Sequence, residues 1–186
     1  MKISGEGKYF DAKGRQYKIE GFGSIPDEKL LKSLTVEGML SFGKSSCETL
    51  KINGECRGIS LTAKNFYVSG MLEIETANVA EVFTIEGTLK ASNIKADTIS
   101  IKSRSGSIGE LKCKQVKIVH NENFEDNSWI QIKSLEATKV HLENCKVDII
   151  RCKDAFIGKN CSIEKLFVAG ECKVADDSKV GETILI

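Results

Sequence analysis

Short stretches that alternate apolar and polar residues recur along the chain every sixteen or seventeen residues. The phrases LTVEGML (34–40), LKINGEC (50–56) and FYVSGML (66–72) show the pattern most clearly, with an aliphatic residue two positions after the first. Such period-two alternation is typical of a strand that buries one face. The successive phrases begin at Met1, Tyr17, Leu34, Leu50, Phe66, Phe83, Ile99, Val116, Val140, Ala155 and Leu166.

Two other positions repeat with the same period. A glycine stands four residues after the start of a phrase at Gly5, Gly21, Gly38, Gly54, Gly70, Gly87 and Gly170. A small residue stands three residues before the start of a phrase at Cys47, Ala63, Ala80, Ala96, Cys113, Ala137 and Cys152. Because like positions lie above one another only in a solenoid, the sequence predicts an all-β, single-stranded, three-sided parallel β-helix. We expect about ten coils of 16–17 residues, forming one domain over residues 1–186.

The repeat is interrupted in two places. Val140 follows Val116 by twenty-four residues, and the excess, HNENFEDNSW, predicts a loop insertion at about 120–129. Trp129 and Phe124 in this loop are candidate contacts for a protein partner. After Val140 the steps shorten to fifteen and then eleven, which predicts an irregular end at about 160–186.

Composition excludes several function classes. Twenty-seven basic and 26 acidic residues give a net charge of +1, so neither nucleic acid nor an anionic membrane is an expected partner. The lysines at 112, 114 and 117 form the one locally basic stretch, which a solvated strand face explains. No signal peptide or membrane-spanning run is visible, so direct membrane insertion is not expected.

The cysteines favour a cytoplasmic protein. Seven are present, an odd number without a CxxC pair, so they are expected to be reduced. Three occupy the small slot of the repeat, and Cys56 and Cys172 share a slot with Leu40 and Leu72. We therefore expect cysteines packed as small apolar residues, with no metal and no cofactor.

The phrases resemble those of the bactofilins, a family of polymer-forming bacterial cytoskeletal proteins. The resemblance rests on ISGEGK (3–8), on the series VEG, ING, VSG and IEG, and on LFVAGECKVADDSKVGE (166–182). It implies a right-handed β-helix, most similar to long, tail-less members from Gram-positive bacteria. It also implies a non-enzymatic scaffold that self-assembles through its coil ends into filaments or oligomers. Such assemblies organise cell shape or cell-envelope processes, with other bactofilin-like or envelope proteins as further partners. The implied assembly residues are Met1, Ile3, Tyr17 and Ile19 in the first coil and Leu166, Val168, Ile184 and Ile186 in the last.

Two enzyme classes are the alternatives. A left-handed hexapeptide-repeat acyltransferase or carbonic-anhydrase-like enzyme would use His120 or His141, the only histidines. Its coils, however, have about eighteen residues built from six-residue units. A polysaccharide lyase would need clustered carboxylates. The candidate acids Glu20, Glu37, Glu73, Glu86 and Glu143 instead read as outward strand residues.

Overall fold

A computed structural model describes residues 2–4, 7–8, 16–25, 30–120 and 129–186 of the chain. Its strands are β1 (Lys2–Ser4), β2 (Gly7–Lys8), β3 (Gln16–Ile25), β4 (Leu30–His120), β5 (Ile130–Leu142), β6 (Cys145–Ile157), β7 (Ser162–Val168), β8 (Cys172–Val174) and β9 (Lys179–Leu185). All strand pairs are parallel, in the order β1-β3-β4-β5-β6-β7-β9, while β2 pairs with β3 and β8 with β6. The chain is therefore a parallel β-solenoid of about nine turns, and the described ranges contain no helix.

The register of the strands follows the repeat read from the sequence. Tyr17 lies opposite Leu34, and Ile19 lies between Ile3 on one side and Val36 on the other. Glycines stack as well, because Gly21 lies opposite Gly38. Each turn is thus one repeat, and one strand spacing of about 4.8 Å separates it from the next.

Each turn has three faces, which β5 shows most regularly. Two buried residues separated by one exposed residue form each face: Ile130 and Ile132 on face A, Leu135 and Ala137 on face B, Val140 and Leu142 on face C. Two residues that are not buried separate one pair from the next and form the corner. β6 repeats the arrangement fifteen residues later, so the three-sided section is confirmed.

Stacked apolar pairs fill the interior. Face C alone contributes the column Leu34, Leu50, Phe66, Phe83, Ile99, Val116, Val140 and Ala155, all buried. The rings of Phe66 and Phe83 meet edge to face, with 5.5 Å between their centroids. A side chain of this size contributes about 1.5–3 kcal/mol when it is fully buried. The core is therefore one continuous column running along the solenoid.

The corner between faces C and A explains the recurrent glycine. Gly54 and Gly70 have φ angles of 136° and 131°, a conformation that only glycine adopts readily. A Cβ on Gly70 would also overlap the carbonyl oxygen of Gly54 in the preceding turn. In later turns the corner takes other residues: the Ser103 hydroxyl donates to the Gly87 carbonyl at 2.5 Å, and Asn144 has a φ of 50°.

Two details of the predicted repeat are wrong. Ala80 is exposed and Val79 points inward in its place, since the corner before Phe83 contains one extra residue. Leu166 does not continue the face C column after Ala155. It lies opposite Ile150 on face B, and Cys172 takes the place above Ala155. The step from Val140 to Ala155 is fifteen residues, as predicted. The following steps are sixteen and seventeen residues, and not eleven. Short segments outside the strands separate β7, β8 and β9.

The turns on either side of the predicted insertion pair in register. Gly106 lies opposite Ile130 and Ile118 opposite Leu142, so the extra residues leave from the corner between faces C and A. Residues 121–128 themselves, including Phe124, lie outside the described residues.

Candidate assembly surface at the last turn

The last turn consists of β8 and β9, and each is paired on one side only. β8 pairs with β6 and β9 pairs with β7, and within the described chain no strand lies beyond them. The outer edge of this turn therefore presents a row of backbone N–H and C=O groups that no described strand satisfies. An unpaired parallel edge is a template on which another chain can add a strand.

The inward positions of this turn are uncovered. By register, Cys172 and Val174 lie above Ala155 and Ile157, and Leu185 lies above Val168. The three residues below are buried, but Val174 is 41% exposed and Leu185 79% exposed. The neighbouring Ile186 is 68% exposed. Side chains that would form the core of a further turn are thus open at this end.

On face A, a hydroxyl group occupies an inward position at the end of the solenoid. Ser178 stands above Cys161, where most earlier turns have a buried apolar residue, and its hydroxyl donates to the Gly158 carbonyl at 2.5 Å. The same oxygen accepts the backbone N–H of Cys161 at 2.8 Å. Val180 beside it is packed against the core. The apolar part of the end surface is therefore confined to faces B and C.

The four predicted C-terminal assembly residues differ in how far they are exposed at the end of the solenoid. Leu166 and Val168 are fully buried under β9, so the prediction that they form the end surface is wrong. Ile184 points outward beside Phe167 and is half-buried, whereas Ile186 is exposed at the end. Sequence reasoning missed Val174 and Leu185 because it assigned Leu166 to the wrong face. The alternation of apolar and polar residues at Cys172, Lys173 and Val174 was the signal that could have identified Val174.

The remaining predicted contact residues lie far from this turn along the chain. Ile3 lies in β1, at the first edge of the sheet, while Ile19 in β3 is paired on both sides. Tyr17 pairs with Leu34, and Met1 lies outside the described residues. Trp129 is 39% exposed beside the insertion, and its carbonyl accepts the Gly106 N–H at 3.3 Å.

Most cysteines pack in the core, as predicted. Cys47, Cys56, Cys145, Cys152 and Cys161 are buried and Cys113 is packed against the core, but Cys172 is exposed, contrary to expectation. Loss of hydration raises the pKa of Cys47 and of Cys113 to about 12, and that of Cys152 to about 11. These thiols stay protonated at neutral pH and are poor nucleophiles and ligands.

Cys145 and Cys161 are a stacked pair. Burial raises the pKa of Cys145 well above its usual value, and a hydrogen bond from that thiol lowers the pKa of Cys161. In the described part of the chain, no group of three or more His, Cys, Asp or Glu side chains has an arrangement that could hold a metal ion.

His141 points outward from face C, as its place between Val140 and Leu142 predicted. Its Nε2 lies 3.7 Å from Glu143 Oε1, and its ring meets that of Phe156 at 4.7 Å. His120 ends β4. The steps of fifteen to seventeen residues between paired positions differ from the eighteen-residue coil of hexapeptide-repeat enzymes.

Comparison of the chain with protein-family models, with curated proteins and with solved structures finds no match. The function must therefore be argued from the geometry of the solenoid. Where the structure describes the chain, it contains no helix with the length and apolar character needed to cross a bilayer.

Proposed function

We propose that the protein is a structural scaffold, similar to the bactofilins, that associates with copies of itself through the last turn of its solenoid. The observation that carries this proposal is the unpaired edge of β8 and β9 together with the exposed inward residues Val174 and Leu185. A second copy that adds its own edge there would pair the backbone groups and cover these side chains in one step.

The energies indicate a concentration-dependent association. Val174, Leu185 and Ile186 would each contribute about 1–2 kcal/mol, because a fully exposed residue of this size gains about 1.5–3 kcal/mol on burial. The total of about 3–6 kcal/mol is close to the lower estimates of the entropy lost on association, about 4 kcal/mol. Backbone hydrogen bonds along the edge of β9 therefore decide whether the assembly is stable.

The rest of the proposal concerns the setting of this scaffold. We infer a non-enzymatic protein of the cytoplasm, and its seven free cysteines support a reducing compartment. The charged sides of the solenoid suit a rod that binds partners along its length. Partners in cell-envelope processes, or related bactofilin-like chains, are expected from the resemblance in sequence.

Sedimentation velocity in reducing buffer over a wide concentration range tests the assembly surface. We expect the sedimentation coefficient of the unaltered protein to rise with concentration, and that of the double variant Val174→Lys and Leu185→Lys to stay at the monomer value. Ile59→Lys is the matched control, because Ile59 is 49% exposed on the side of the solenoid. A protein that stays monomeric throughout, or a double variant that associates as well as the control, would contradict the proposal.

A further inference from the structure

A pocket on face C is lined by side chains that donate hydrogen bonds and by no carboxylate. It has a volume of about 390 Å³ and spans three successive turns. Its polar lining residues are Thr98, Ser100, Gln115, Lys117, Lys139 and His141. Its floor is the buried face C column at Ile99, Val116 and Val140.

The register explains how this lining arises. Lys139 lies opposite Gln115, and His141 lies opposite Lys117, one strand spacing above. Ser100 precedes Lys117 by seventeen residues, the step that separates one turn from the next. The polar side chains therefore form three rows of two, with about 4.8 Å between rows. A rigid parallel sheet holds them, so the array is formed before any ligand arrives.

Six lysines elsewhere on the solenoid form an ion pair with an acid in an adjacent turn. The pairs are Lys64 with Glu81, Lys90 with Glu73, Lys102 with Glu86, Lys112 with Glu136, Lys114 with Asp97 and Lys165 with Glu182, at 2.7–3.6 Å. Among the described residues, Lys117 and Lys139 have no such partner. Of the basic stretch seen in the sequence, only Lys117 thus keeps an uncompensated charge.

The acids nearest to the pocket have other partners. Asp97 is held by Lys114 at 2.7 Å. Asp154, opposite Lys139 in the register, accepts the backbone N–H of Glu171 at 3.1 Å. Oε1 of Glu143 lies 3.7 Å from Nε2 of His141, and Glu143 does not line the pocket. No carboxylate lines the pocket itself, so Lys117 and Lys139 supply positive charge to its lining.

We propose that this pocket binds a phosphate group. Two unpaired lysines match the double negative charge of a phosphate, whereas a single carboxylate would leave one of them uncompensated. The hydroxyls of Thr98 and Ser100 and the amide of Gln115 supply further donors to the remaining oxygens. The ligand is inorganic phosphate or a small phosphate ester, or the phosphate of a lipid headgroup.

The test is a titration of the full chain with inorganic phosphate and with glycerol phosphate at constant ionic strength, followed by backbone amide NMR shifts. Constant ionic strength keeps general screening of surface charge unchanged. We expect saturable shifts at residues 98–100, 115–117 and 139–141. The double variant Lys117→Met and Lys139→Met should weaken binding by at least about tenfold, because each lysine supplies a charged hydrogen bond.

Lys133→Met with Lys146→Met is the matched control, since both lysines are exposed, do not line this pocket and belong to no ion pair in the described structure. This control should leave the phosphate affinity within about twofold. Equal weakening in both double variants, or none in the first, would show an adventitious ion only and overturn the proposal. Flotation with vesicles of phosphatidic acid in phosphatidylcholine identifies the source. Binding that depends on Lys117 and Lys139 shows a lipid headgroup, and saturable phosphate binding without flotation shows a soluble ester.

Discussion

Replacing Gly70 by alanine tests the stacking of the turns most directly. Gly70 has a φ of 131°, and its Cβ would overlap the carbonyl oxygen of Gly54 in the turn below. That oxygen belongs to the backbone and cannot rotate away as a flexible side chain would. The substitution must therefore either change the backbone conformation at the corner or push two turns apart.

The magnitude follows from three contributions. A non-glycine residue held at such a φ costs about 1–3 kcal/mol. Forcing an extra methyl group into a closely packed site costs about another 1–3 kcal/mol. Alanine also restricts the unfolded chain, which returns about 0.4–1 kcal/mol. The free energy of unfolding should therefore fall by about 1–6 kcal/mol, which is large beside the 5–15 kcal/mol that is typical of a folded domain.

Urea unfolding followed by far-ultraviolet circular dichroism measures this change through the midpoint and slope of the transition. Ser69→Ala is the control, because Ser69 is exposed in the same corner one residue earlier and should change stability by less than about 0.5 kcal/mol. A Gly70→Ala variant that unfolds at the same urea concentration as the control would refute the proposed contact between the turns.

Three further predictions follow from the core and the thiols. Phe83→Ala removes a fully buried ring that meets Phe66, and it should lower the free energy of urea unfolding by about 3–5 kcal/mol; a loss below 1 kcal/mol would contradict the packed column. A thiol-specific chromogenic reagent should modify one cysteine rapidly, and Cys172→Ala should abolish that fast phase, since Cys172 alone is exposed; a fast phase that persists would place a second thiol at the surface. Burial raises the pKa of Cys47 from 9.0 to about 12, so its contribution is fully present below pH 9 and is lost as the pH rises towards 12, because only the unfolded chain releases the proton there. Cys47→Ala should therefore flatten the alkaline decline in urea midpoint, and an unchanged slope would be evidence against this cause.

Much of the fold could be predicted because the repeating geometry of a solenoid requires a repeating sequence. Each turn must offer the same slots to the turns above and below, so the aliphatic positions around Ile52, the small residue at Ala63 and the corner glycine at Gly54 recur with one period. The step of twenty-four residues from Val116 to Val140 is visible in the sequence for the same reason, since these two residues lie opposite each other in the register.

The candidate site was less predictable. All three faces carry the same alternation of buried and exposed residues, so the pattern does not say to which face a new phrase belongs. Leu166 was therefore assigned to face C, although the backbone pairing places it above Ile150 on face B. Two predicted assembly residues, Leu166 and Val168, are therefore buried in the structure. The exposed residues Val174 and Leu185 were not among the predicted ones.

The sequence by itself determined the class of fold, the length of the turn and the residues that fill its interior, because these depend on periodic contacts between neighbouring turns. Only the tertiary structure decided which residues are left uncovered and which charges are left unpaired. Leu185 is open because no described strand follows β9, and Lys117 and Lys139 meet in one pocket because separate turns stack there. Both outcomes depend on what lies beside a residue in space, and a one-dimensional repeat does not record this.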